Sequence, residues 1–267
     1  MPSDIPHTLS GRQILVTRPA GQNAGLRAKL ETRGAVVYEQ PALEICPTSR
    51  PQDLDDAIRR LVSTRGAWAI FSSANGVTRT LQEATRLYGD AENARRAFET
   101  SEIKIAVVGA ATGAAAEEFG LRVALVPDRF VAESIIEKLN AVVDDYATET
   151  FFHFTGDLGR DVVEKALRER GARFYKAPAY ETLDAKSCAP DVLAALKSGT
   201  LDAAVVTSSR SARALRNLLG SDAFRARWVA ISPLTATATS ELGLEVAAVA
   251  QTASEDGLVD ALESLFA

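Results

Sequence analysis

The chain repeats itself in tandem, and this repetition constrains its fold more than any other feature of the sequence. Three segments of the first half match three segments of the second half in the same order. The matched pairs are 29–44 with 166–181, 68–77 with 202–212, and 107–139 with 230–262. In the first pair a glycine, a tyrosine, a proline and a glutamate recur at one spacing, which generic α/β patterning does not require. The sequence therefore predicts two lobes of one fold, produced by duplication.

Short apolar runs alternate with amphipathic stretches along both halves. Trp68–Phe71, for example, is an apolar run that precedes a stretch with Val77 and Leu81 at helical spacing. This alternation is typical of βαβ units, whose strands form parallel sheets covered by helices. We predict an α/β fold of two similar Rossmann-like lobes with parallel sheets, joined by a short two-stranded connection.

Two matched prolines suggest where the lobes meet. Pro41 and Pro178 follow the matched glycines at the same spacing, and proline cannot donate a hydrogen bond within a central strand. We expect the strands that carry them to leave their sheets and connect the lobes. Lobe 1 is then discontinuous, residues 1–40 with 178–267, and lobe 2 is residues 41–177. The 267 residues suffice for two such domains.

Composition excludes several classes of protein. A formal net charge of -5 argues against nucleic acid or an anionic membrane as the main partner. Neither the two cysteines, Cys46 and Cys188, nor the two histidines, His7 and His153, stand at metal-ligand spacing. We therefore expect structural thiols, no zinc site and no histidine-based triad. The leader has no apolar core and no apolar run reaches the length of a membrane span, so we expect a cytoplasmic protein.

Small, hydroxyl-bearing or glycine residues follow each predicted strand. Open parallel sheets bind ligands beyond these carboxyl ends, where free N–H groups and helix dipoles favour anionic oxygens. The turns are Thr17-Arg18-Pro19, Ser72-Ser73-Ala74-Asn75, Gly109 to Thr112, Thr155-Gly156-Asp157, Thr207 to Arg210, and Ser232 to Thr235. Each turn alone is equally well explained as an ordinary helix N-cap. Together they predict a site for an anionic small molecule in a cleft between the lobes.

Charged and phenolic side chains supplement these turns. Arg18, Arg160 and Arg210 stand at or just beyond strand ends, where they can pair with carboxylates, although each can also be a solvated surface arginine. Tyr180 follows Pro178 and can exchange a proton with a ligand. Its alternative is a packed hinge tyrosine, and its repeat partner is Leu43.

Two other classes of function remain open on these residues alone. A two-lobed protein that binds an anionic small molecule without chemistry fits the same fold. A nicotinamide-dependent oxidoreductase rests only on Gly109 and Gly113 with Asp128 at the next strand end. That pattern lacks the full GxGxxG, and its repeat partner has neither glycine.

Taken in order, the motifs resemble the uroporphyrinogen-III synthase family from about residue 12 to residue 265. They are ILVTRPAGQNAGL, AIFSSANGV, VVGAATGAAAEEFGL, VPDRFVAESIIEKL, FTGDLGRDVVEKALRERGA, APAYET, VVTSS and ISPLTATATSELGL. The resemblance implies two Rossmann-like lobes and the cyclisation of hydroxymethylbilane to uroporphyrinogen III, with loss of water and inversion of ring D. It implies neither a metal nor a cofactor.

The resemblance also assigns roles to residues. Tyr180 corresponds to the tyrosine proposed as the acid, Thr112 and Thr235 to threonines of two GxxT-type turns, and Ser72, Ser73, Asn75 and Ser208 to cleft-lining residues. Ser209-Arg210 and Ser232 depart from the family pattern. The complete predicted substrate-binding set is Arg18, Ser72, Ser73, Asn75, Thr112, Thr155, Gly156, Arg160, Ser208 and Thr235. We expect a monomer, and a transient contact with the enzyme that forms hydroxymethylbilane is left open.

Overall fold

A computed structural model describes residues 8–127, 132–157, 159 and 161–267, with only the backbone of 132 and 133. Within these residues the strands are β1 (Gln13–Val16), β2 (Val36–Glu39), β3 (Leu43–Pro47), β4 (Trp68–Phe71), β5 (Lys104–Val107), β6 (Val123–Leu125), β7 (Thr150–Gly156), β8 (Arg173–Asp184), β9 (Ala203–Val206), β10 (Arg227–Ala230) and β11 (Val246–Val249). The α-helices are α1 (Ala24–Thr32), α2 (Pro51–Val62), α3 (Ala74–Tyr88), α4 (Ala91–Thr100), α5 (Ala110–Glu118), α6 (Ala132–Leu139), α7 (Val162–Glu169), α8 (Pro190–Ser198), α9 (Ser209–Leu219), α10 (Pro233–Glu241) and α11 (Glu255–Phe266). Short 3-10 helices span Tyr146–Thr148 and Gly220–Arg225.

The strands form two sheets with one common topology. One sheet has the order β11-β10-β9-β1-β2, and the other has the order β3-β8-β7-β4-β5-β6. Read from β6, the second sheet runs β6-β5-β4-β7-β8, so each strand of the first sheet has a counterpart. In both sheets these strands pair in parallel. The prediction of two similar Rossmann-like lobes with parallel sheets is confirmed.

Strand register shows that the duplication extends to single positions. Tyr38 of β2 lies opposite Leu15 of β1, and Tyr175 of β8 lies opposite Phe152 of β7. The matched tyrosines therefore occupy the same place in the two sheets. The matched glycines behave alike as well, because Gly34 and Gly171 follow α1 and α7 with φ of 87° and 82°. These values lie in the left-handed region, which only glycine adopts without strain.

The chain divides into two compact units. Unit 1 comprises residues up to Glu44 together with Leu183–Ala267, and unit 2 comprises Ile45–Thr182. The chain passes from one unit to the other within β3 and again within β8, which are neighbours in one sheet. The lobe boundaries inferred from the prolines, near residues 40 and 177, stay predictions about which segments fold together.

The expectation that the strand has left its sheet at Pro178 is wrong, although β8 continues beyond its last pair with β7, at Tyr180, to the unit boundary after Thr182. Pro178 lies inside β8, where it pairs with Thr155 of β7. The next pair joins Gly156 to Tyr180, so the register shifts by one residue at this point. A strand tolerates proline at such an irregularity because the regular ladder is already interrupted. Pro41 lies between β2 and β3, outside both strands.

Both faces of each sheet are covered. In unit 2, α2, α3 and α4 bury apolar side chains against one face and α6 and α7 against the other. In unit 1, α8 and α9 cover one face, while α1 and α11 cover the other. Because both faces are buried, β4 and β9 are apolar at every position, as parallel strands usually are. Among the described residues, no helix has the length and apolarity to cross a bilayer.

Candidate functional site

The β4–β7 pairing brings two predicted site residues together at the carboxyl edge of unit 2. Phe71 and Phe154 form the last pair between β4 and β7. The residues that follow them, Ser72 and Thr155, therefore lie side by side. The Ser72 hydroxyl donates a hydrogen bond to Thr155 Oγ1 at 3.3 Å. Thr155 is buried, and Gly159 packs against it so closely that a Cβ at Gly159 would lie 2.2 Å from Thr155 Oγ1.

His153 extends this contact into the core. It is buried in β7, on the face that it shares with Thr155, and its Nε2 lies 3.2 Å from Ser72 Oγ. Because Ser72 has one hydroxyl proton and gives it to Thr155, it accepts from His153, which places the imidazole proton on Nε2. Nδ1 is then the unprotonated nitrogen, and it is buried without a hydrogen-bond partner among the described residues.

Burial keeps the His153 imidazole neutral. Desolvation, followed by the nearby Lys176 ammonium, lowers the pKa of His153 to about 4. The Asp161 carboxylate acts in the opposite direction but is outweighed. At neutral pH the ring is therefore uncharged, and it serves as a hydrogen-bond donor to Ser72 rather than as a cation.

Ser73 fixes the start of α3 and touches the predicted acid. It is the N-cap of α3, and its Oγ accepts a hydrogen bond from Gly76 N at 3.1 Å. The same oxygen lies 3.0 Å from the phenolic oxygen of Tyr180. Asn75 follows within the first turn of α3. The phenol of Tyr180 thus sits at the positive end of a helix dipole, which favours negative charge.

Tyr180 lies across the carboxyl end of β7. Its partner in the register is Gly156, and a Cβ at Gly156 would lie 2.9 Å from Cζ of the tyrosine ring. Gly156 therefore contacts Tyr180 directly. Unit 2 brings Ser72, Ser73, Thr155, Gly156 and Tyr180 to one edge of its sheet, although they come from three separate strands.

The remaining predicted residues of unit 2 are less informative. Thr112 lies in the first turn of α5, where it is buried and its N–H donates to Gly109 O at 3.0 Å. The prediction for Arg160 falls outside the described residues, as does that for Asp128. Gly109 itself is the N-cap of α5.

Unit 1 presents corresponding turns without the tyrosine. Ser208 caps α9 and accepts from Ser211 N at 3.0 Å. Ser232 caps α10 and accepts from Thr235 N at 3.3 Å, and its Oγ lies 3.1 Å from the buried Thr235 hydroxyl. The Ser208, Ser232 and Thr235 side chains are therefore each oriented by hydrogen bonds at a helix N-terminus.

The arginines at the strand ends of unit 1 have acidic partners. Arg18 Nη1 lies 2.9 Å from Glu255 Oε1, and Arg210 Nη2 lies 3.5 Å from Asp184 Oδ1. These pairs are partly exposed, so each is worth little to stability. A substrate carboxylate that binds Arg18 has to compete with Glu255.

The described residues contain no group of three or more His, Cys, Asp or Glu side chains arranged to hold a metal ion. The expected independence from metals and cofactors stays a prediction.

His153 is the residue near this edge that sequence reasoning set aside. It stands two positions before Thr155, and residues at this spacing share one face of a strand. This two-residue spacing indicated that His153 lies on the same face of the strand as Thr155, next to the predicted site. The contact with Ser72 depends on the β4–β7 register, which the sequence does not contain.

The topology defines a class of protein with two similar Rossmann-like α/β units, and comparisons with known proteins specify it further. The family model described as uroporphyrinogen-III synthase HemD matches residues 24–260. A uroporphyrinogen-III synthase of Synechococcus elongatus is 33% identical over 263 residues, 96% of each chain.

Solved structures support the fold. The chain resembles a uroporphyrinogen III synthase mutant from Thermus thermophilus with a TM-score of 0.58 and 16% identity, covering 96% of this chain and 98% of that one. It resembles the enzyme of Helicobacter pylori with a TM-score of 0.58 and 15% identity, covering 95% and 99%.

The chain belongs to the uroporphyrinogen-III synthase family. Its activity is that of a cyclising hydro-lyase, which forms uroporphyrinogen III in tetrapyrrole biosynthesis. A non-catalytic binding protein and a nicotinamide-dependent oxidoreductase are not favoured.

Proposed function

We propose that the carboxyl edge of the unit 2 sheet carries the acid of this reaction and that Tyr180 is that acid. The observation that supports it most strongly is the placement of the phenol, 3.0 Å from Ser73 Oγ and at the start of α3. The positive end of the helix dipole favours the negative charge that Tyr180 acquires when it gives up its proton. A phenol so placed can assist the departure of a hydroxyl group.

The reaction then proceeds with hydroxymethylbilane as substrate. Tyr180 donates its proton to the hydroxyl of the hydroxymethyl group on the first ring, the C–O bond breaks, and water leaves. The electron pair of the pyrrole nitrogen stabilises the resulting cation as an azafulvenium ion. The substituted α-carbon of ring D attacks this electrophile to give a spiro intermediate, and fragmentation with reclosure inverts the ring. A proton is lost at closure, which balances the one that Tyr180 supplied.

The other predicted residues are proposed to hold the substrate carboxylates. In unit 2 these are Ser72, Ser73, Asn75, Thr112, Thr155, Gly156 and Arg160, and in unit 1 Arg18, Ser208 and Thr235. Hydroxyls and N–H groups at helix starts suit carboxylate oxygens. By holding the linear tetrapyrrole in a folded conformation, the protein makes attack by ring D competitive with unassisted closure.

The partner and the location follow the same proposal. The protein acts as a monomer, with at most a transient contact with the enzyme that supplies hydroxymethylbilane. We place it in the cytoplasm, and the free thiols of Cys46 and Cys188 support this because a reducing compartment keeps thiols reduced.

The test is a coupled assay in which hydroxymethylbilane is generated in place and the type I and type III isomers are separated after oxidation. We expect the wild-type protein to give type III, with or without a chelator. Tyr180→Phe should shift the product toward type I, because unassisted closure then competes. Tyr175→Phe is the matched control, since it removes a phenolic hydroxyl from the same strand. Type III alone from Tyr180→Phe at the wild-type rate would remove the acid role.

A further inference from the structure

Because Gly156 has no side chain, the Tyr180 ring can occupy the space beside its Cα. A Cβ built on Gly156 would lie 2.9 Å from Cζ, 3.0 Å from Cε2 and 3.1 Å from the phenolic oxygen of Tyr180. Carbon atoms of separate residues do not approach so closely, and a tyrosine ring moves only as a whole. Gly156 does not have a positive φ, so alanine at this position is opposed by the ring, whose outer end has to shift, and not by the backbone conformation.

The backbone around Tyr180 is held in place. Asp157 N donates to Tyr180 O at 3.0 Å, and the Asp157 carboxylate accepts from Thr182 N at 3.2 Å. One bond is made by the carbonyl of Tyr180 itself, and the other by Thr182, two residues further along β8. The ring therefore cannot yield to a larger residue 156 by a small shift of its own strand.

Ser73 restrains the other end of the ring. Its Oγ cannot turn away from Tyr180 without giving up the hydrogen bond from Gly76 N that starts α3. The neighbourhood is tight, because a Cβ at Gly76 would lie 3.1 Å from Phe154 O and 3.4 Å from Ser73 Oγ. The hydroxyl that contacts the phenol is thus fixed by the helix.

We propose that Gly156 and Ser73 are positioning residues for Tyr180: Gly156 admits the ring across the end of β7, and Ser73 holds the phenolic oxygen at the start of α3. This moves Gly156 and Ser73 out of the proposed carboxylate-binding set, in which the sequence had placed both, and makes them residues that position Tyr180. The inference rests on the proposed acid role of Tyr180. On this proposal Gly156 and Ser73 determine where the phenol lies, and neither residue has to contact the substrate.

The first test compares turnover in a double-mutant cycle. Gly156→Ala should lower kcat at least about tenfold with a much smaller change in KM, because the acid is displaced while the carboxylate contacts remain. In the Tyr180→Phe background, Gly156→Ala should cause little further loss, since both changes remove the same contribution. Additive losses, or a loss confined to KM, would mean that Gly156 contacts the substrate itself and would overturn the proposal.

The second test measures the contact without reference to activity. Gly156→Ala should lower the thermal unfolding midpoint of the wild-type protein and should cause no such loss in Tyr180→Ala, where the ring is absent. An equal loss in both backgrounds would contradict the steric account. If the stability coupling is present but Tyr180→Phe keeps full turnover, the acid role fails while the packing stands. The failures of the two proposals are therefore distinguishable.

The third test separates the two contacts of Ser73. Ser73→Ala removes the helix cap and the contact with Tyr180, whereas Ser73→Thr restores a hydroxyl. Ser254→Ala is the matched control, because Ser254 caps α11 by accepting from Gly257 N at 3.0 Å. We expect Ser73→Ala to lower kcat, Ser73→Thr to recover most of it, and Ser254→Ala to lower only the unfolding midpoint. Wild-type kcat in Ser73→Ala would remove Ser73 from the proposal.

Discussion

The two units share one topology but differ in what lies at the carboxyl ends of their central strands. Ser73 and Ser208 are equivalent, because each caps the helix that follows the central strand, β4 or β9. Ser73 contacts Tyr180 at 3.0 Å, whereas Ser208 contacts Ser211 Oγ at 2.8 Å. The counterpart of Tyr180 in the repeat, Leu43, belongs to the apolar core of unit 1.

The strands behind these edges differ as well. Phe71 and Phe154 stack in unit 2 with their ring centroids 5.3 Å apart, while the corresponding strand of unit 1 is Ala203–Val206. The register that pairs His153 with Ile70 places Val16 at the corresponding position of β1. The two units therefore share one topology, and at these matched positions unit 2 has the phenol and the imidazole where unit 1 has Leu43 and Val16.

The largest effect expected on stability comes from the aromatic core of unit 2. Phe71→Ala should lower the free energy of unfolding by about 3–5 kcal/mol, because it leaves a cavity against Phe154. Its counterpart Val206→Ala should cost only about 2 kcal/mol, since two methyl groups are removed. Denaturant unfolding monitored by far-UV circular dichroism measures both. Equal losses would show that the two cores do not differ as described.

The next effect concerns pH and involves a residue that unit 1 lacks. The pKa of His153 is lowered from 6.5 to about 4 in the folded chain, so the unfolded chain binds the proton first as pH falls. The stability due to the neutral ring is complete above pH 6.5 and is lost progressively down to about pH 4, by roughly 3 kcal/mol.

His153→Val, which copies the unit 1 residue, should flatten the dependence of unfolding free energy on pH within this window. The groups that act on the ring are Lys176 and Asp161. The depressed pKa of Asp161 acts below this window, so it does not mask the effect. An unchanged slope in His153→Val would show that the imidazole is not buried and neutral.

The smallest effect tests the cation of unit 1. The Glu255 carboxylate forms an ion pair with Arg18, and a partly exposed pair of this kind is worth about 0.2–1 kcal/mol. Glu255→Gln should therefore lower the KM for substrate by up to about fivefold, and the gain should disappear when Arg18→Ala is added. If Glu255→Gln raises KM, Arg18 does not bind a substrate carboxylate.

The fold could be predicted from the sequence because both repeats carry the same pattern of apolar runs and matched residues. The apolar runs predicted strands such as Trp68–Phe71, and the repeat match of Gly34 with Gly171 predicted equivalent positions in the two units, which the structure shows at the ends of α1 and α7. The inference from Pro178 failed because a local shift of register, invisible in the sequence, lets β8 keep its proline within the sheet.

The candidate site was predicted as a set of turns, but not as a set of contacts. Ser72 meets Thr155, and Tyr180 meets Gly156, only because of the order and register of β4, β7 and β8. The role of Gly156 depends on distances of 2.9–3.1 Å between the Cβ that glycine lacks and atoms of the Tyr180 side chain. Such distances follow from packing and cannot be read from the order of residues.

The most direct test of the difference between the units is the turnover of Tyr180→Phe beside that of Thr235→Ala, measured in the same coupled assay. The proposed acid role predicts that Tyr180→Phe lowers kcat by about 10²–10⁴-fold. Thr235→Ala, which removes a proposed carboxylate donor of unit 1, should lower kcat far less and act mainly on KM. If Tyr180→Phe turns over at the wild-type rate while Thr235→Ala is crippled, the chemistry belongs to the Thr235 turn of unit 1.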